Sequence, residues 1–164
     1  MKQKQILSIL VENQAGILNK ITGLFARRAY NIDSLAVSIT EDESVSRITM
    51  IVDSGGHAVD QVEKQLHKLI SVIKVKRLED GEYIGRELTI IKVSANAKTR
   101  SDIKNICDIM NAKISDISLT TLTTELAGTP DRISLFQEML LPFGIVEVAR
   151  TGLIAVQKGS LHMS

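Results

Sequence analysis

The sequence predicts an α+β protein built from two consecutive βαββαβ units, and three observations carry that prediction. Apolar positions switch between strand and helix spacing in the same order twice along the chain. A short polar stretch with two glycines, Glu79 to Gly85, lies between the two runs. The chain has 164 residues, of which 44% are hydrophobic, enough for two small cores. This element order is that of the ferredoxin-like fold, an antiparallel sheet with two helices on one face.

In order, Gln5 to Val11 reads as a buried strand, and Ile17, Leu18, Ile21, Leu24 and Phe25 recur at helical spacing. Leu35, Val37 and Ile39 alternate with small residues. After the acidic turn Glu41-Asp42-Glu43, Val45, Ile48, Met50 and Val52 make a second strand, giving a hairpin. From His57 onward, Val59, Val62, Leu66, Leu69 and Ile70 return to the helical period, and Val72 to Leu78 is a closing strand. The second unit repeats the order. Glu87 to Ala95 is a strand, Ile103, Ile106, Cys107 and Met110 mark a helix face, and Lys113 to Leu119 and Thr120 to Leu126 are two strands. Thr129 and Pro130 are suited to an N-cap and first helical position ahead of Ile133, Phe136 and Leu140, and Ile145 to Arg150 ends the unit. The domains expected are 1–78, a linker at 79–85, a second domain at 86–158, and a tail at 159–164. A sheet covered on one side leaves exposed edges, and pairing edges between copies protects them, so a homodimer is expected.

Composition removes several function classes. Lys and Arg total 20 against 19 for Asp and Glu, so no charge surplus favours nucleic acid or an anionic membrane. Aromatic residues are 3% with no Trp, which leaves little for stacking bases or sugars. No apolar run approaches the roughly 18 residues of a membrane span, the opening Met1-Lys2-Gln3-Lys4 leads into a strand, and a single cysteine fits a reducing compartment. A cytoplasmic location is expected.

Catalytic signatures are absent: there is no HExxH, GxSxG, Walker loop, GxGxxG or CxxC. Cys107 falls on an apolar helix stripe and reads as core rather than nucleophile. His57, His67 and His162 are scattered without metal-site spacing. Glu41, Asp42 and Glu43 read as a solvated turn rather than a carboxylate pair. An enzyme is not expected, and neither is a metal site.

The informative stretch is Val11-Glu12-Asn13-Gln14-Ala15-Gly16-Ile17-Leu18, where the first strand hands over to the first helix. The opening N–H groups of a helix lack intrahelical partners and favour an anionic group such as an amino-acid carboxylate. Gly16 has no Cβ to obstruct a close approach. Asn13 offers both a carbonyl and an amide, suiting it either to cap the helix or to meet a zwitterion. From these residues alone, a capped turn and a binding loop are both open.

This loop, together with Arg28-Ala29-Tyr30-Asn31-Ile32-Asp33-Ser34-Leu35, closely resembles the ACT domain of acetolactate synthase small subunits. The resemblance continues through Ser46-Arg47-Ile48-Thr49, Gln65-Leu66-His67-Lys68-Leu69, Arg86-Glu87-Leu88, Leu126-Ala127-Gly128-Thr129 and Glu147-Val148-Ala149-Arg150-Thr151-Gly152, covering nearly the whole chain. One departure is Ala15, where many members carry Pro before the loop glycine; residues 159–164 do not resemble the family ending. The resemblance implies an N-terminal ACT domain followed by an ACT-like one. It implies a non-catalytic regulatory subunit in branched-chain amino acid biosynthesis, one that activates a catalytic large subunit and mediates feedback inhibition by valine or another branched-chain amino acid. Thiamine diphosphate, Mg and FAD would belong to that partner, with no cofactor in this chain. Paired ACT domains would form a homodimer with the effector at the seam: Asn13, Gly16 and Ile17 from one subunit, with Ala15 and Leu18 completing the loop, and Asn31 and Ile32 from the other. A free-standing amino-acid-binding regulator with tandem ACT-like domains is the alternative.

Overall fold

The computed structural model describes residues 4–53, 59–160 and 162–163. The chain folds into two compact units, one running to Ile84 and resuming at Gly152, the other spanning Gly85–Thr151.

In the first unit the elements are β1 (Lys4–Glu12), α1 (Ile17–Ala26), β2 (Asn31–Ile39), β3 (Val45–Asp53), α2 (Val59–Leu66) and β4 (Val72–Leu78). The strands form one antiparallel sheet in the order β2-β3-β1-β4. Alternation decides which face is buried: Leu7, Ile9 and Val11 of β1 and Ile48, Met50 and Val52 of β3 meet Ile17, Ile21, Leu24 and Phe25 of α1 and Val62 and Leu66 of α2. Ala29, at φ 55, ends the helical run, after which Tyr30 N–H reaches the Phe25 carbonyl at 3.1 Å. That reversal sets the Tyr30 ring edge-on to Phe25, centroids 5.7 Å apart, and delivers the chain to β2.

The second unit holds β5 (Tyr83–Ser94), which begins two residues inside the first unit, then α3 (Arg100–Met110), β6 (Lys113–Ile117), β7 (Thr121–Gly128), α4 (Pro130–Leu140) and β8 (Ile145–Arg150). Strand order is β6-β7-β5-β8, and the pairs are antiparallel. Ile91 and Val93 of β5, Ile103, Cys107 and Met110 of α3, and Ile133, Phe136 and Leu140 of α4 are among its core. Two tandem α+β units of the expected order are therefore present.

Four local expectations are corrected. The second helix stops at Leu66 rather than running to Ile70: Leu69 N–H bonds back only three residues to Leu66, and Ile70 is 98% exposed. His57 lies outside the described residues. The linker is shorter than 79–85, because a turn with Glu82 N–H on the Glu79 carbonyl lets β5 begin at Tyr83. Thr129 takes the extended N-cap conformation but makes no side-chain cap bond. Finally, an extra strand β9 (Ile154–Gln157) pairs with β5, and residues from Gly152 onward group with the first unit, where the sequence placed 152–158 in the second domain and 159–164 in a tail. Leu153 and Ala155 bury against Leu78, Ile6, Ile51 and Tyr83, and Met163 is buried. Burial of apolar side chains, which a four-residue strand cannot advertise by period, holds this segment in place.

Candidate functional site

The loop between β1 and α1 is built by backbone before side chains. Gly16 is the N-cap of α1 with φ 84 and ψ −1, a left-handed conformation that glycine adopts without the Cβ clash other residues meet. A Cβ placed there would meet nothing within 4 Å, so the space above Gly16 is open. Gln14 N–H donates to the Glu12 carbonyl at 2.9 Å, Ile17 N–H to Gln14 at 3.3 Å, and Lys20 N–H to Gly16 at 3.1 Å. The N–H groups of Leu18 and Asn19 have no acceptor among the described residues. No acidic side chain occupies the first turn, so nothing there neutralises the helix end.

Asn13 does not cap this helix. Its Nδ2 donates to the Glu43 carbonyl at 2.8 Å and its backbone N–H to Ser44 at 2.7 Å, tying the loop to the β2–β3 turn. That turn is itself set by Asp42, whose Oδ1 accepts from Ser44 N–H at 2.9 Å and Ser44 Oγ at 2.6 Å. These bonds hold the Asp42 carboxyl below its ordinary pKa. One Nδ2 hydrogen is committed to Glu43, and the Asn13 carbonyl oxygen is the side-chain acceptor available to a cation.

The resemblance puts Gly16 and Ile17 against the effector. Ile17 N–H is turned into the loop and its side chain is buried, while Leu18 is 37% exposed beside the helix start. Ala15 is exposed at the loop tip. The free N–H that sequence reasoning did not single out is that of Asn19; counting orphan groups from a Gly16 N-cap would have found it.

Asn31 and Ile32 lie elsewhere. Asn31 pairs in register with Asp53, as does Lys4, whereas Glu12 pairs with Val45. The nine residues of β1 separate these ends by about 27 Å. Within one chain the structure does not bring Asn31 and Ile32 to the loop. Asn31 Nδ2 instead bonds Asp33, which also takes Lys4 Nζ at 2.8 Å.

Other candidates lose their chemistry. Cys107 is 1% exposed in the α3–α4 core, and burial, with Asp108 adding, pushes its thiol pKa up, the reverse of what a nucleophile needs. His67 and His162 are exposed, and among the described residues no three His, Cys, Asp or Glu side chains are grouped to hold a metal. No described helix is long and apolar enough to cross a membrane. Glu87, by contrast, is 5% exposed and takes a two-pronged interaction from Arg150, at Nε (3.1 Å) and Nη2.

Both halves match family models: residues 7–74 match the acetolactate synthase (AHAS) small subunit-like ACT domain, and residues 86–159 match the small subunit of acetolactate synthase. The chain is 42% identical to an acetolactate synthase small subunit of Mycolicibacterium smegmatis over 93% of its own length and 90% of the relative's. The chain belongs to the acetolactate synthase small subunit family. A second member, from Haemophilus influenzae, is 41% identical over 98% of this chain and 99% of its own. The crystal structure of the acetolactate synthase small subunit from Thermotoga maritima superposes with a TM-score of 0.88 at 30% identity, covering 97% of this chain and 99% of that one. The family's domain pair thus accounts for both units and for the tandem fold read from the sequence.

Proposed function

We propose that this chain is a non-catalytic regulatory subunit that binds an acetolactate synthase catalytic large subunit, raises its activity and transmits feedback inhibition by a branched-chain amino acid. The observation that carries this reading is the full-length family match across both units. Cofactors of the reaction, thiamine diphosphate, Mg and FAD, belong to the partner. The β1–α1 loop supplies the effector chemistry: Leu18 and Asn19 N–H for a carboxylate, the Asn13 carbonyl for an ammonium, and the exposed flank of Leu18 for an aliphatic side chain.

Edge chemistry supports a dimer through β2. The sheet ends in two edges, β2 and β4. β4 carries Lys74, Lys76 and Arg77, charges that discourage strand pairing, whereas Ser34 to Ile39 of β2 is six residues without a charge, with Val37 and Ile39 exposed. β1 and β2 run parallel, each pairing antiparallel with β3. An antiparallel β2–β2 seam therefore brings Asn31 of one copy to the sheet end that carries the other copy's Asn13 loop. Two copies assemble the residues that one chain holds apart, and a ligand that contacts both favours one dimer geometry over another, the differential affinity that regulation requires.

The test is reconstitution with a purified acetolactate synthase catalytic subunit, following complex formation by size-exclusion chromatography and acetolactate formation from pyruvate. The expected result is a stable complex, higher activity than the catalytic subunit alone, and inhibition by valine, leucine or isoleucine only when this chain is present. A chain that binds the amino acid but forms no complex is instead a free-standing regulator. Turnover of pyruvate by this chain alone overturns the non-catalytic assignment.

A further inference from the structure

The sheet face of the first unit that points away from α1 and α2 lines a cavity. On β1 this face presents Ile6, Ser8 and Leu10; in register beside them lie Ile51, Thr49 and Arg47 on β3, and Leu78, Lys76 and Lys74 on β4. The returning segment is anchored there by Leu153 N–H, which donates to Ser34 Oγ at 3.0 Å, and by burial of Leu153, Ala155 and Met163. Between segment and sheet is a cavity of about 200 Å³ whose lining includes Ser8, Arg47, Leu78, Ala155, Gln157 and Met163.

Three of its polar side chains lack partners among the described residues, while His162, which also lines it, has its Nδ1 3.1 Å from the Ser160 carbonyl oxygen. Ser8 is 1% exposed and its hydroxyl has no partner among the described residues; Gln157 Oε1 is buried and has none among them. The Arg47 guanidinium makes no hydrogen bond or ion pair among the described residues. Leaving such groups unpaired is costly, and native proteins rarely do so without a bound ligand or water. A cavity of this size takes several waters, and Leu78, Ala155 and Met163 offer those waters nothing to bond. The register neighbours Lys74 and Lys76 add positive charge, so the cavity favours an anion. Its apolar wall disfavours phosphate, and Gln157 Oε1 calls for a donor beside the charge.

We propose that this cavity is a second ligand site, independent of the β1–α1 loop, for a small aliphatic carboxylate carrying an N–H or O–H donor on its α-carbon, that is, an amino acid or a 2-hydroxy acid. Arg47 and the Ser8 hydroxyl take the carboxylate, Gln157 Oε1 takes the α-donor, and Leu78, Ala155 and Met163 take the alkyl group.

The experiment is equilibrium dialysis of the full chain with valine, 2-hydroxyisovalerate, isovalerate and inorganic phosphate, in the natural sequence and in the Asn13→Ala/Asn31→Ala double variant that silences the loop. Expected is one site per chain that survives the double substitution and prefers valine or 2-hydroxyisovalerate to isovalerate. Arg47→Met should weaken that site by about tenfold or more, the loss of one charge-assisted contact. Ser8→Val, which replaces an unpaired hydroxyl with a methyl, should weaken binding while holding or raising the melting temperature, so that misfolding cannot account for the loss. Whichever of valine and 2-hydroxyisovalerate binds tighter identifies the source. The proposal is overturned by a double variant that binds neither, by binding that Arg47→Met or Ser8→Val leaves unchanged, or by phosphate binding as well as valine. Failure of the loop reading is separately visible, as a double variant that binds as many equivalents of valine as the natural chain.

Discussion

Replacing Gly16 with Ala isolates a single backbone effect at the candidate site. The residue sits at φ 84, and the added Cβ meets no heavy atom within 4 Å, so no packing clash contributes and the penalty is conformational alone. An L-residue in this region costs about 1–2 kcal/mol, which for a chain of this size lowers the melting temperature by about 3–6 °C. Calorimetry of the ligand-free protein reads this directly. Gly16→Asn, which tolerates the left-handed region better, should lose less stability than Gly16→Ala, yet both should weaken effector binding because both put a side chain into the open space above the loop. An Ala variant that melts within about 1 °C of the natural chain, or an Asn variant that melts below the Ala one, would refute the backbone argument.

Three further outcomes follow from the same geometry. Glu87→Gln strips the partner from a largely buried ion pair; because Arg150 keeps contact with water, the loss should be about 2 kcal/mol in urea unfolding, and an unchanged midpoint would mean the pair contributes nothing net. Gly152→Ala puts a Cβ 2.7 Å from Ser34 Oγ at a position with φ 81, so it should unseat the segment over the sheet and increase hydrogen exchange at Leu153; unchanged exchange there would show that the segment is held by its apolar contacts alone. Cys107 should resist thiol reagents until the chain unfolds. Its folded pKa is raised, so the folded state holds its proton longer than the unfolded one, and this contribution to stability is complete below the unfolded thiol's pKa and falls as the pH rises through the window up to the folded value. Stoichiometric labelling of folded protein at neutral pH would contradict the burial.

Legibility in the sequence followed the length and phase of each pattern. β1 is a short apolar run of strand length, β3 keeps Ile48, Met50 and Val52 on one face, and α1 keeps one apolar face for three turns, so their types were readable. β9 was not, because four residues carry too little period and nothing local says which strand they will join. Ile70 continued a helical spacing by coincidence, since spacing does not report where the backbone leaves the helix. The Glu87–Arg150 pair joins residues 63 apart and depends on a register in which Arg150 faces Thr89, placing Glu87 diagonally beside it. At the candidate site the glycine and the orphan helix start were legible. The commitment of Asn13 Nδ2 to Glu43 was not, because it depends on the β2–β3 turn folding back beside the loop.

The central claim is that one effector site is shared by two copies of this chain, and mixing inactive variants tests it most directly. Asn13→Ala and Asn31→Ala chains are each expected to lose valine binding at the seam as homodimers, keeping only the site under the returning segment. When the two are unfolded and refolded together at equal amounts, half the dimers are mixed, and each mixed dimer holds one seam site with both asparagines intact, so about a quarter of the natural seam-site valine binding should return. No recovery in dimers shown to be mixed would contradict a shared site and place Asn13 and Asn31 in separate roles.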